Sequence, residues 1–214
     1  MRSRSETWRG RVRAVVMGLV ASLTLALPGA AQTDPFAGGW TLSSDASTLR
    51  FQSVKKGSIV EQSSFATFSG GIDETGQAEI TILLDSVDTT IDLRNVRMRF
   101  LFFETFQYPE AKIRMKIDPA QLADLEQVRR KVLNLPYTLS LHGVERDLEA
   151  EIAVTLISDQ LVAVSSHLPV TLQVADFNLL PNIAKLEEAA SVDIVPSTTV
   201  TFDMVFARNA PGQA

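Results

Sequence analysis

The chain has 214 residues, 45% of them hydrophobic, which is enough for one domain with a substantial apolar core. Its 20 basic and 25 acidic residues give a net charge of −5, which argues against nucleic-acid binding because that needs clustered positive charge. With no cysteine and two histidines, the chain can form no disulfide, thiolate nucleophile, iron–sulfur cluster or three-histidine metal site.

The N-terminus has the order of a secretory signal peptide. Five arginines precede an apolar run over 14–27, and Pro28 and small residues up to Ala31 follow it. The run is shorter than the roughly 20 residues that cross a bilayer, so a retained membrane anchor is the weaker interpretation. We expect a leader over 1–31, one domain over 32–214, and export, to the periplasm if the source is a Gram-negative bacterium.

From Trp40 onward, apolar and polar residues alternate, which is typical of strands with one buried face. Turn-forming residues over 70–76 separate two of these segments and predict a hairpin. The pattern predicts an all-β protein of about eight short antiparallel strands, folded as a sandwich or as a closed barrel. The clearest alternating segments are 40–51, 66–68, 80–84, 133–141, 148–156, 168–174 and 200–206.

Three stretches depart from this alternation. Residues 95–106 predict a short helix or loop, residues 119–131 follow Asp118 as a candidate N-cap, and residues 178–190 have helical spacing. We expect them to cover one or both ends of the strands.

The sequence has no nucleophile elbow, zinc-protease motif, phosphate-binding loop or dinucleotide fingerprint. Asp85, Asp88 and Asp92 lack the spacing of a calcium loop, and His142 and His167 are more typical of hydrogen-bonded structural histidines. The sequence therefore predicts a protein that is not an enzyme and has neither a metal site nor a cofactor.

The strand pattern places an unusually apolar set of side chains on the inward face. They pack as an ordinary core in one interpretation, and line an apolar tunnel for an apolar guest in the other. The set comprises Phe51, Phe68, Leu84, Leu139, Ile152, Val154, Leu172, Val200, Phe202 and Met204.

An ordered series of short motifs spans nearly all of the region after the leader. It consists of Trp40 with Ser47-x-Leu49-x-Phe51, Phe65-x-x-Phe68-Ser69-Gly70-Gly71-Ile72, Ser86-Val87-Asp88-Thr89 with Ile91-Asp92-Leu93-Arg94, Phe102-Phe103-Glu104-Thr105-Phe106-x-Tyr108-Pro109, Tyr137-Thr138-Leu139-x-Leu141-His142-Gly143-Val144, Ala175-Asp176-Phe177 and Val200-x-Phe202. This series resembles the YceI-like family of exported lipid-binding proteins.

The resemblance implies an extended, lipocalin-like antiparallel barrel of eight strands with short helical segments at one end. It also implies a non-catalytic carrier that holds a polyisoprenoid or isoprenoid quinone in the barrel tunnel. Polar groups near the mouth are then candidates to orient a headgroup, namely Asp92, Arg94, Tyr108 and His142. A membrane, an envelope protein and a second copy of the chain are candidate partners.

Two other functions stay open at this point. In the first, the barrel is filled by its own side chains and its acidic surface docks an envelope redox protein or enzyme. In the second, more remote one, His142 and a carboxylate form a catalytic site on the rim.

Overall fold

The computed structural model describes residues 34–210, so the expected leader and its cleavage point lie outside the described residues. Antiparallel strands make up most of this region. They are β1 (Trp40–Lys55), β2 (Ile59–Phe65), β3 (Phe68–Ile72), β4 (Gln77–Leu83), β5 (Val87–Asp88), β6 (Glu110–Lys116), β7 (Arg130–Leu141), β8 (Val144–Ser158), β9 (Leu161–Ser166), β10 (Val170–Gln173) and β11 (Ser197–Arg208).

Eight of these strands close into a barrel in the order β1-β3-β4-β6-β7-β8-β9-β11. Closure comes from antiparallel pairing of the first and last strands, from Trp40 opposite Arg208 to Gln52 opposite Thr199. A register shift between Ser43 and Thr48 bends β1 within this pairing. The remaining strands, β2, β5 and β10, extend the sheet at one end. The prediction of an eight-stranded antiparallel barrel is confirmed.

Short helices form in or beside the three stretches where the alternation of apolar and polar residues is broken. They are α1 (Asp92–Arg97), which continues as a π-helical turn over Met98–Phe102, α2 (Leu125–Val128) and α3 (Leu180–Ala190), with 3₁₀ segments at Leu84–Ser86, Pro119–Leu122 and Val174–Phe177. The Asp118 side chain accepts a hydrogen bond from the Ala120 N–H, as expected of an N-cap. The helical prediction over 119–131 extends too far, since Arg129 is left-handed and β7 begins at Arg130.

The two ends of the barrel are covered differently. α1, the π-helical turn, α3 and the β7–β8 hairpin turn lie at one end, which we call the mouth. Phe36, Leu122 and Leu125 are buried at the opposite end, which we call the far end. A Cβ on Gly76 would lie 2.7 Å from the Phe36 ring, so this glycine permits the close packing there. Within residues 34–210, no helix is long and apolar enough to cross a membrane.

Candidate functional site: the apolar interior toward the mouth

The interior changes from packed to accessible along neighbouring strands. On the inward face of β11, Phe206 and Met204 are 3% and 2% exposed, whereas Phe202 and Val200, closer to the mouth, are partly exposed. β1 repeats the change, from buried Leu49 to partly exposed Phe51. Because Phe202 is paired with Leu49 and Val200 with Phe51, these side chains belong to one continuous region of the wall. The interior is therefore filled toward the far end and accessible toward the mouth.

The accessible region is strongly aromatic. Phe51 contacts Phe65 at a ring-centroid distance of 5.4 Å, and Phe65 contacts Phe103 at 5.8 Å. Phe103 in turn packs edge-on against Phe102 of the π-helical turn at 4.9 Å. Aromatic contacts therefore join the β1–β2 wall to the helical cover of the mouth.

All ten tunnel residues predicted from the sequence belong to one apolar cluster or pack directly against it. Four are partly exposed near the mouth, Phe51, Leu172, Val200 and Phe202. The other six are buried, Phe68, Leu84, Leu139, Ile152, Val154 and Met204. Leu84 lies in a 3₁₀ segment, 1% exposed, rather than on a strand. The sequence prediction thus combined residues of the accessible region with residues of the packed core.

Several residues of the accessible region were missed by the sequence analysis. Phe65, Met98, Phe102 and Leu148 are partly buried and pack against the same cluster. Met98 and Phe102 are four residues apart on the helical cover, so their spacing carried a signal for one shared face. Phe65 is the last residue of β2, where alternation is short and less informative, whereas Leu148 begins the clear alternating segment 148–156 and was left out of the predicted set.

The β7–β8 turn holds two of the predicted mouth residues together. His142 and Gly143 have φ values of 51° and 75°, as a two-residue hairpin turn of this type requires. The His142 ring lies against the Tyr108 ring at a centroid distance of 4.1 Å. A Cβ on Gly143 would lie 3.0 Å from Tyr108 Cε1, so glycine is needed for both the conformation and the contact.

Glu104 connects this turn to the helical cover. One carboxylate oxygen lies 3.0 Å from His142 Nε2, and the other accepts a hydrogen bond from Lys185 Nζ of α3 at 2.9 Å. The bond from Lys185, followed by that from His142, holds the pKa of Glu104 below its usual value. Asn182 of α3 also donates to the Phe102 carbonyl at 2.7 Å. Charge and hydrogen bonds therefore fix the arrangement of the mouth.

The other two predicted mouth residues are placed differently. Arg94 on α1 pairs with Glu61 of β2 at 2.7 Å, and Lys55 donates to the same carboxylate at 2.6 Å. Asp92 is exposed at the start of α1. The structure thus joins Tyr108 and His142 directly, and it uses Arg94 to tie α1 to the β1–β2 hairpin.

Two further polar groups lie in apolar surroundings without a partner among residues 34–210. Arg99 Nε, in the π-helical turn, is buried and has no hydrogen-bond partner there. Tyr137 points inward on β7 and is 8% exposed, and burial raises its pKa to about 12. Arg99 and Tyr137 each lie within an apolar stretch of sequence. A polar group within such a stretch is the signal by which the sequence could have indicated them.

The remaining candidates from the sequence are placed at the surface. His167 directly follows β9 and lies 3.5 Å from Glu151 of β8, and both side chains are 40% exposed. Asp88 accepts a hydrogen bond from the Thr90 N–H and stabilises its own turn. Across the described region, no three histidine, aspartate or glutamate side chains converge as a metal site would require.

Comparison with known proteins identifies the family of this barrel. The family model of the YceI-like domain matches residues 40–206, which is most of the chain. The chain belongs to the YceI-like family. A solved YceI-like relative is a polyisoprenoid-binding domain from Saccharophagus degradans implicated in plant cell wall breakdown. It is 34% identical, with a TM-score of 0.76, over 79% of this chain and 98% of its own.

A second solved structure, BcnA from Burkholderia cenocepacia, shares the fold. It is 17% identical, with a TM-score of 0.60, over 77% of this chain and 98% of its own. No curated protein matches the chain. These likenesses confirm the YceI-like fold that the motif series indicated.

Proposed function

We propose that this YceI-like protein is an exported carrier that holds a long-chain isoprenoid lipid, a polyisoprenoid or an isoprenoid quinone, in the bore of its barrel. The lipid tail lies against the accessible apolar wall formed by Phe51, Val200 and Phe202, and its headgroup lies at the mouth. A carrier of this kind needs no catalytic residue and no cofactor.

The single observation that carries the proposal is the loss of packing toward the mouth. Interiors of small barrels are normally filled by their own side chains at near-crystalline density. Here inward-facing Val200 and Phe202 retain accessible surface, although Met204 and Phe206 on the same strand are buried. Covering that apolar surface with a lipid tail is favourable because it removes the surface from water. The polyisoprenoid-binding domain from Saccharophagus degradans supports this choice of ligand.

Polar groups near the bore are suited to a headgroup rather than to a tail. We assign headgroup contacts to Tyr108 and His142, which the structure holds together, with Arg94 and Asp92 farther along the rim. The Tyr137 hydroxyl is available to donate a hydrogen bond to a carbonyl or phosphoryl oxygen, since it has no partner among the described residues.

The test begins with the purified protein. Organic extraction followed by mass spectrometry is expected to release an isoprenoid lipid in near-stoichiometric amount. Val200→Trp fills accessible space beside Phe51 and is expected to abolish lipid retention while the barrel still folds. The matched control is Thr201→Trp, because Thr201 is exposed on the outer face of the same strand, and this variant is expected to keep the lipid.

Two results would contradict the carrier proposal. A parent protein that never yields a lipid, with Val200→Trp melting well below it, would show that the bore is filled. That result would favour a barrel that docks an envelope protein through its acidic surface. Equal lipid retention by Val200→Trp and Thr201→Trp would place the ligand elsewhere. Melting comparisons use delipidated protein, since loss of a ligand alone lowers apparent stability.

Export has a separate test. Intact mass of the protein recovered from the expressing cells is expected to show an N-terminus at or near Gln32, after the small residues that end at Ala31. Recovery of protein that retains the residues before Ala26 would contradict this part of the proposal.

A further inference from the structure

The outward side of the helical cover is apolar, although a solvent-facing helix side is normally polar. Leu93, Val96 and Phe100 are 58%, 45% and 57% exposed. Their spacing of three and four residues places them on one face of α1 and the π-helical turn. Met98 and Phe102 meanwhile pack inward against the core cluster. The helix is therefore apolar on two sides, of which the described residues cover one.

Leu93, Val96 and Phe100 form a row that we call the stripe. Other exposed apolar residues surround it. Phe106 is 74% exposed and closely follows the π-helical turn, and Ile91 is 47% exposed directly before α1. Ile59 and Val60, also exposed, lie at the β1–β2 hairpin tip, which the Arg94–Glu61 ion pair holds beside α1. We call the surface formed by Ile91, Leu93, Val96, Phe100 and Phe106 the docking face.

Positive charges outnumber negative ones beside the docking face, although Arg94 is paired with Glu61. Among residues 34–210, neither Arg97 nor Arg99 forms an ion pair. Over 92–102 there are three arginines and one acidic residue, Asp92, within a chain whose net charge is −5. A chain of that net charge is repelled by anionic surfaces in general, so this local excess of positive charge singles out one side of the molecule.

We propose that the docking face seats the mouth on an anionic lipid bilayer. Exposed apolar side chains enter the acyl boundary while an arginine side chain contacts lipid phosphates at the headgroup level, the arrangement by which interfacial helices bind membranes. Leu93, Phe100 and Phe106 are the inserted residues, and Arg97 binds phosphate, whereas the Nε of Arg99 is buried. The inference rests on the proposed carrier function, because a bore that opens onto the bilayer lets a lipid enter without crossing water.

The test is flotation of the protein, expressed from the full chain, with two kinds of vesicle. One contains phosphatidylcholine alone and the other contains phosphatidylcholine with phosphatidylglycerol. We expect binding to the anionic vesicles that weakens as salt is raised, and much weaker binding to the neutral ones. The double variant Leu93→Ser/Phe100→Ser is expected to lower partitioning onto anionic vesicles at least about tenfold, since it removes two large apolar side chains.

The matched control is Val128→Ser/Ile157→Ser. Both residues are about as exposed as the stripe, 48% and 50%, but they lie at the far end of the barrel. The control is expected to bind vesicles like the parent. All variants share one N-terminus, so binding through residues 14–27 would be unaffected by either pair of substitutions. If Leu93→Ser/Phe100→Ser melts well below the parent, Arg97→Gln gives the independent reading and is expected to reduce binding to anionic vesicles selectively.

Three outcomes would overturn the proposal. The first is equal vesicle binding by the stripe variant and the control, and the second is equal binding to neutral and anionic vesicles. The third is a parent dimer that light scattering detects, that the stripe variant abolishes, and that shows no vesicle binding, which would make a second copy the occupant. Lipid extraction from the same preparations separates these failures from a failure of the carrier proposal, because the stripe variant is expected to retain lipid in the bore.

Discussion

His142 Nε2 lies 3.0 Å from Glu104 Oε2, and both residues have left-handed backbone conformations, with φ values of 51° and 50°. They are 38 residues apart in sequence, one in the β7–β8 turn and the other just after the π-helical turn. Two strained turns are thus joined by one contact, and Lys185 adds α3 to it. This contact couples the barrel wall to the cover of the mouth.

Replacing Glu104 with glutamine should weaken that coupling. The folded-state pKa of Glu104 lies below its ordinary value of 4.5, chiefly because of Lys185 and then His142. Its contribution to stability is therefore present above about pH 4.5 and is lost as pH falls through the folded-state pKa. We expect Glu104→Gln to cost about 1 kcal/mol at pH 7 and less at pH 3, measured by urea unfolding. Glu145→Gln, in the exposed Arg114–Glu145 pair, is the control and should change little.

Tyr137 should make the protein sensitive to alkali. Burial raises its pKa from 10.0 to about 12, so the folded state keeps a proton that the unfolded chain releases. Stability is unaffected below pH 10 and falls as pH rises from 10 toward 12. Between pH 9 and pH 11 we expect the parent to lose about 1.4 kcal/mol more than Tyr137→Phe. Equal losses in the two proteins would show that the phenol is hydrated in the folded state.

A tryptophan should destabilise the packed part of the barrel interior much more than the accessible part. Val154 is 6% exposed and lies among buried neighbours, so Val154→Trp overpacks the core and should cost about 1 to 3 kcal/mol or more. Val200→Trp, near the mouth, should cost much less in the delipidated protein. Thermal unfolding of both variants checks the difference, and equal destabilisation would mean that the interior is packed throughout.

Gly143 should tolerate alanine less well than another glycine of similar conformation. Gly143 has φ +75° and its added Cβ would approach Tyr108 Cε1 at 3.0 Å, whereas Gly57 has φ +72° and nothing within 4 Å. Gly57→Ala therefore reports backbone strain alone, about 1 to 2 kcal/mol. Gly143→Ala should cost more than this and should disturb the Tyr108–His142 ring contact. Chemical denaturation gives the costs, and histidine NMR shifts report the contact.

Much of the fold was predictable because strand alternation is a local property of the chain. The inward faces of β7, β8 and β11 follow directly from residues two apart, and the helical spacing of 178–190 yields α3. The short strands β6 and β9 were not predicted. β6 carries only three alternating apolar residues, Ala111, Ile113 and Met115, and so few positions give a weak periodic signal.

The choice between barrel and sandwich was beyond local pattern. It depends on the pairing of β1 with β11, whose residues are separated by most of the chain. The same holds for the mouth, where Glu104 meets His142 and Lys185 only after the barrel has closed. The family resemblance of the motif series implied the barrel, whereas alternation alone fits either architecture.

The sequence by itself determined that the protein is all-β, that it resembles the YceI-like family, and which side chains of the long alternating strands face inward. Only the tertiary structure decided which inward residues are packed and which are accessible. Val154 and Val200 look alike in an alternating strand, and they differ because surrounding elements cover nearly all of Val154 and leave part of Val200 accessible. The tertiary structure also decided that Leu93, Val96 and Phe100 face outward. A helix with apolar residues on two sides is oriented by the elements it packs against, and here Met98 and Phe102 pack against the core.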